Sequence, residues 1–336
     1  DKWQEKYQLE QDLIMLGKAL TPFLLDIVTK SENKEEKKIA LGVLSNFDDE
    51  AALNTLITIL TENPDTFELG GFAAKGIGRI GKVASPQVKA LLTKQGPKRN
   101  ILYAIEQLKD ESFLPLLNSL KASDSQTKLL VANTMLSLGG KVGLIKVLEL
   151  LETAADKKGE ENPTEDVRMI VNSLPYDVKD KIRQIFEEDS LLENRLLSVI
   201  EKILNTATDD QNLQLNMISL LGAGRSEQTA KTLWGLYTRR GGDNALGRAV
   251  ALSMKEVGTA CVPFLIKGGI RNKLIYEILG DIEDASAVPY LLGELKRIGY
   301  DDYYLSQAVS GDIEKIGVKA IPYLSKELLK QEDNHE

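Results

Sequence analysis

The sequence predicts an all-α fold, a right-handed α-solenoid of about ten helical hairpins of roughly 30 residues each, stacked side by side. Three observations predict it. A helix breaker followed five residues later by proline recurs along the chain. The apolar residues after each copy follow helical spacing. Almost nothing alternates with the period of two that a half-buried strand needs.

With glycine as the breaker the motif reads Gly17–Pro22, Gly81–Pro86, Gly258–Pro263 and Gly317–Pro322. With aspartate it reads Asp110–Pro115 and Asp284–Pro289. Copies without the proline are Asp49–Asn54, Gly140–Ile145 and Ser226–Lys231. The anchors fall at 22, 54, 86, 115, 145, 231, 263, 289 and 322, separated by 32, 32, 29, 30, 86, 32, 26 and 33. The interval of 86 has room for about two further degenerate copies at the usual period.

Each element of the unit has a local cause. Glycine just past a helix end takes a left-handed conformation and closes the last turn. Proline in the first turn of the next helix costs nothing, because its missing N–H would be unpaired there anyway. Val88, Leu91 and Leu92 after Pro86, and Leu291, Leu292 and Leu295 after Pro289, each mark one apolar face. The helix before each breaker is richer in small residues, as in "KKIALGVL", "AAKGIGRIG" and "GRAVALSMKEVG", which lets backbones approach closely. Within "GDIEDASAVPYLLGEL" (280–295), Asp281, Glu283 and Asp284 are expected to be turn residues.

The regular repeats cover 1–151 and 223–336. The stretch 152–166, "ETAADKKGEENPTED", is polar and reads as a long surface loop. Residues 167–222 read as helical but off-register, with amphipathic segments "VKDKIRQIF" and "LLENRLLSVIEKIL". The four segments are expected to form one continuous stack.

"LGDIEDASAVPYLLGEL" and "RIGKVASPQVKALL" resemble HEAT-like repeats, most closely the short repeats of the phycobilin-lyase (PBS-lyase) type. The resemblance covers most of the chain. It implies an armadillo-type superhelix, and a family that holds both chromophore lyases and many adaptors.

Composition narrows the function. The formal net charge is −8, which argues against a general nucleic-acid binder and against docking on an anionic membrane. No apolar run approaches the roughly 18 residues of a membrane span. With one cysteine, Cys261, and one histidine, His335, no intrachain disulfide, zinc site or histidine-dependent nucleophile is expected. No metal or cofactor is expected. The sequence does not name a compartment; a cytoplasmic one is slightly favoured, and the first residue, Asp1 rather than methionine, leaves room for a processed exported form.

Several motifs carry two readings. "GIGRIG" (76–81) matches a dinucleotide-binding glycine pattern, but its glycines sit inside a repeat helix and serve packing. Cys261 opens a helix, where its pKa would fall, or is a small buried hydrophobe. Asp48–Asp49 and Asp301–Asp302 suit turn starts better than acid–base catalysis. Arg239 and Arg240, before Gly241–Gly242, form either an anion-binding turn or a solvated helix end. Tyr300, Tyr303 and Tyr304 are either interface anchors or packing for the adjacent repeat. Residues 301–336 hold eight acidic residues against four lysines, which suits a basic partner.

The expected function is a non-enzymatic scaffold that binds another protein or peptide on the concave surface lined by the second helices. Tyr300, Tyr303, Tyr304, Arg239 and Arg240 are the expected contacts. The alternative, which the family resemblance implies, is a bilin lyase or isomerase. A DNA-repair protein of helical repeats would need a basic groove.

Overall fold

A computed structural model describes residues 2–122, 124–156, 163–240, 244–299 and 301–332, and every element among them is helical. The chain divides into two compact units. The first comprises Asp1–Leu150 and Ser173–Val178. It contains α1 (Lys2–Leu16), α2 (Thr21–Lys30), α3 (Lys34–Leu44), α4 (Leu53–Glu62), α5 (Phe67–Ile80), α6 (Ser85–Gln95), α7 (Arg99–Leu108), α8 (Leu114–Ser119), α9 (Ser125–Ser137) and the start of α10 (Lys141–Ala155). The second comprises Leu151–Asn172 and Lys179–Glu336. It contains α11 (Pro163–Asn172), most of α12 (Val178–Glu188), α13 (Ser190–Thr206), α14 (Gln211–Leu221), α15 (Glu227–Arg240), α16 (Ala245–Val257), α17 (Val262–Lys267), α18 (Lys273–Ile282), α19 (Val288–Ile298), α20 (Tyr303–Ile316) and α21 (Ile321–Glu332).

Within each unit the pattern is a hairpin packed on the next hairpin. In the first, α2 pairs with α3, α4 with α5 and α6 with α7, while the returning helices α1, α3, α5, α7 and α9 pack in sequence. In the second, α15 pairs with α16, α17 with α18 and α19 with α20, and the returning row is α11, α14, α16, α18 and α20. The seam between leading and returning rows is the core. Leu41, Leu44, Leu56, Leu60, Ile77, Leu92, Ile101 and Phe113 are fully buried in it. Each such side chain stabilises the fold by about 1.5–3 kcal/mol relative to an exposed position.

Two kinds of turn join the hairpins. In the glycine copies, Gly17, Gly81, Gly258 and Gly317 have φ of 72°, 82°, 83° and 68°, which only glycine adopts without strain. A short 3₁₀ turn follows, and Pro22, Pro86 and Pro263 stand in the first turn of the next helix. In the aspartate copies the left-handed residue is the one before the aspartate, Lys109 (φ 50°) or Glu283 (φ 56°). The aspartate itself caps the 3₁₀ turn. Asp49 accepts from the Ala51 N–H at 3.0 Å, Asp110 from Ser112 at 3.1 Å and Asp284 from Ser286 at 2.8 Å. Asp281 departs from the turn expectation, because it lies inside α18.

The two ends of the stretch 152–166 are helical where a loop is expected. α10 runs on to Ala155, where Ala154 is buried and Glu152 pairs with Arg195, and Pro163 already opens α11. Residues 157–162 lie outside the described residues. Among the described residues between the anchors at 145 and 231, beyond α10 and α11, stand the hairpin α13–α14 and the helix α12, where about two hairpins are expected. α12 buries Ile182, Ile185 and Phe186, and its charged side reaches other elements of the second unit. Lys179 meets Glu256 at 2.7 Å, and Arg183 donates to the Gly222 carbonyl at 3.2 Å.

Ala245–Lys267 contains an 18-residue window apolar enough by composition to cross a membrane. It is not one helix. The turn at Gly258 breaks it into α16 and α17, and Val250, Ala251, Met254 and Val257 of α16 are buried in the second unit.

Candidate functional site

The returning helices of the first unit form a groove of about 470 Å³. Its floor is Ile39 on α3, Phe72 on α5 and Tyr103 on α7. All three are half-buried, so each keeps an open surface on a rigid helix. Phe72 lies over Gly42, where a Cβ would sit 3.8 Å from its ring. Gly71 beside it leaves space, because a Cβ there would meet nothing within 4 Å.

The rim is charged. Lys38 binds Glu35 at 2.9 Å and Glu68 at 2.8 Å, and this pairing, Glu68 foremost, raises its pKa. Lys75 donates to the Asn46 side chain at 3.0 Å. Glu10 adds a third carboxylate to the lining. An apolar floor between fixed charges suits an extended polypeptide that inserts side chains and presents polar groups to the rim. A second concavity of about 410 Å³ lies among the loops before α7 and α9, but it is polar, and Asp65 already engages its Lys98 at 3.2 Å.

Of the residues expected from sequence to make contacts, Tyr303, Tyr304 and Arg239 are described, and none is among the lining residues of this groove. Tyr303 and Tyr304 open α20 with 63% and 84% of their surface exposed. They stack edge to face, 5.9 Å between centroids. Arg239 is exposed near the end of α15, two hairpins earlier in the chain. Tyr300 and Gly241–Gly242 lie outside the described residues, and so does the side chain of Arg240.

The remaining motifs resolve by contact. In "GIGRIG", Gly76 and Gly78 are inside α5, and a Cβ on Gly78 would fall 2.3 Å from Cβ of Gln107. Cys261 is buried, and burial pushes its thiol up to about 12, the opposite of an activated nucleophile. Asp48 pairs with Lys18 at 2.6 Å, Asp49 caps a turn, and Asp302 accepts from the Leu305 N–H at 3.0 Å. Among the described residues no three metal-binding side chains cluster.

Sequence reasoning missed the groove because its floor comes from three successive hairpins. The signal was the repeat itself. Phe72 and Tyr103 stand about one period apart on equivalent helices, and so do Lys38 and Glu68. No protein-family model matches the sequence, and no curated protein does.

Proposed function

We propose that the chain is a non-enzymatic scaffold built as a right-handed stack of HEAT-like repeats, and that it holds an extended polypeptide against its returning helices. The repeat motif and the neighbour-on-neighbour packing inside each unit support the solenoid reading. The observation that carries the binding role is the groove over Ile39, Phe72 and Tyr103, with Glu10, Glu35 and Glu68 at its rim. A partner segment with an apolar or aromatic side chain next to a lysine or arginine fits that lining.

The test is selection of a random 12-residue peptide display library on the immobilised chain. Enriched peptides are expected to lose about tenfold or more in affinity on Gly71→Leu, which fills the groove, and on Glu68→Lys, which inverts its rim. No enrichment, or enriched peptides indifferent to both variants, overturns the reading. At Gly71 a Cβ meets nothing within 4 Å, so the first carbon of the new side chain enters the groove without displacing a neighbour.

A further inference from the structure

In the second unit, four donor groups from three residues converge on one buried carboxylate. Glu294, in α19, has 6% of its side chain exposed. Its Oε2 accepts from the Tyr276 hydroxyl at 2.8 Å and from Nε and Nη2 of Arg297, each at 2.8 Å. Its Oε1 takes Nε of Arg271 at 3.1 Å. Hydrogen bonds and the two guanidiniums hold Glu294 below the usual carboxylate range against the opposing effect of burial.

Fastening α18 to α19 needs one cation to balance Glu294, and the cluster has two. One positive charge is left at the surface of a chain whose net charge is −8. Both guanidiniums reach it, since the side chains of Arg271 and Arg297 are 56% and 46% exposed. Two guanidiniums sharing one carboxylate are also fixed relative to each other. Lys273, exposed in the first turn of α18, adds charge at the same helix end, where the aligned peptide dipoles are positive.

We propose that Arg271 and Arg297, positioned on the buried Glu294, form an anion site that takes the phosphate of a phosphorylated side chain on a partner polypeptide. The site depends on the scaffold reading only for the carrier of the phosphate. A phosphate monoester offers three terminal oxygens and nearly two charges to paired forks, where a carboxylate offers two oxygens and one charge. A nucleic acid would bring many further phosphates against an acidic chain, so a single phosphate is the better match.

The probe is N-acetyl-phosphoserine amide, titrated into the full chain at constant ionic strength and followed by the arginine Nε–Hε resonances. Saturable shifts at Arg271 and Arg297 are expected. N-acetyl-glutamate amide should bind about fivefold or more weakly, and binding should weaken from pH 7.5 to pH 5 as the phosphate takes up its second proton near pH 6. Arg297→Lys keeps the charge and loses the fork, and should weaken binding about tenfold, while Arg79→Lys, at an exposed position of α5 in the first unit, leaves it unchanged. If Arg297→Lys fails to fold, Arg271→Lys, which gives up a single bond to Glu294, serves instead. Absence of saturation, equal binding of the glutamate probe, or an unchanged affinity in the lysine variant overturns the proposal. So does saturable binding of a dT12 strand at these arginines when phosphoserine shows none.

Discussion

Glu193 accepts the Thr229 hydroxyl at 2.6 Å although the two residues belong to different hairpins. The same oxygen takes the N–H groups of Arg225 and Ser226 at 3.0 and 2.9 Å and the Ser226 hydroxyl at 2.6 Å. A side chain of α13 thus caps the start of α15. Glu193→Ala leaves those donors without their acceptor and should cost about 2–4 kcal/mol, with Glu193→Gln costing less. Urea unfolding checks it, and equal midpoints for wild type and Glu193→Ala would refute the cap.

Acid should unfold the protein through specific carboxylates. Asp110 is held at about 2 by the hydroxyl of Ser85, 2.6 Å away, and by Ser112. Its folded pKa lies below the unfolded one, so its stabilisation is present above roughly pH 4 and disappears as pH falls toward 2. Glu193 acts in the same sense, because its hydrogen bonds outweigh the upward push of burial. Asp312 acts in the opposite sense, since burial raises its pKa and protonation relieves it. Urea midpoints at pH 7, 4 and 2.5 should fall steadily for wild type and less steeply for Asp110→Asn.

Two glycines of α5 should respond oppositely to alanine. At Gly71 a Cβ meets nothing, so Gly71→Ala should gain up to about 1 kcal/mol of helix stability. At Gly78 it falls 2.3 Å from Gln107 Cβ and 3.1 Å from the Gln107 carbonyl carbon, so Gly78→Ala must push α5 off α7. A loss of about 1–3 kcal/mol is expected there. Thermal melting of both variants decides it, and a stable Gly78→Ala would mean the α5–α7 contact is loose.

The thiol of Cys261 should stay silent to a disulfide reagent at pH 8 in the folded chain and react fully in urea. Burial removes both its access and its thiolate form. Rapid labelling of the native protein would show the turn before α17 opening on that timescale.

What could be read from the sequence was what a short stretch of chain decides. Gly81 with Pro86 and Gly258 with Pro263 specify their turns through their own backbone restrictions, so helix ends and the all-α class were legible. Asp281 was misread because its role depends on other hairpins. It lies on α18 between Lys255 of α16 at 2.8 Å and Lys315 of α20 at 2.9 Å. The Glu294 cluster and the Phe72–Tyr103 floor were hidden for the same reason: periodicity shows that hairpins stack, and not which side chains then meet. The helical ends of the 152–166 stretch were hidden differently, because polar residues at helix ends resemble a loop in composition.

The cap that Glu193 supplies has a counterpart in the first unit. Asn100 of α7 donates to the carbonyls of Asn63 and Thr66, each at 2.8 Å, in the loop of the preceding hairpin, where Gly70 leaves it room. Such borrowed bonds couple neighbours more tightly than apolar contact alone. When one hairpin lifts away, the adjoining one loses its end fastening as well as its packing, so the smallest cooperative opening in either unit is a pair of hairpins. Amide protons of α5 and α7 should then exchange as a group, and a lesion at Asn100 will register one repeat upstream of the residue itself.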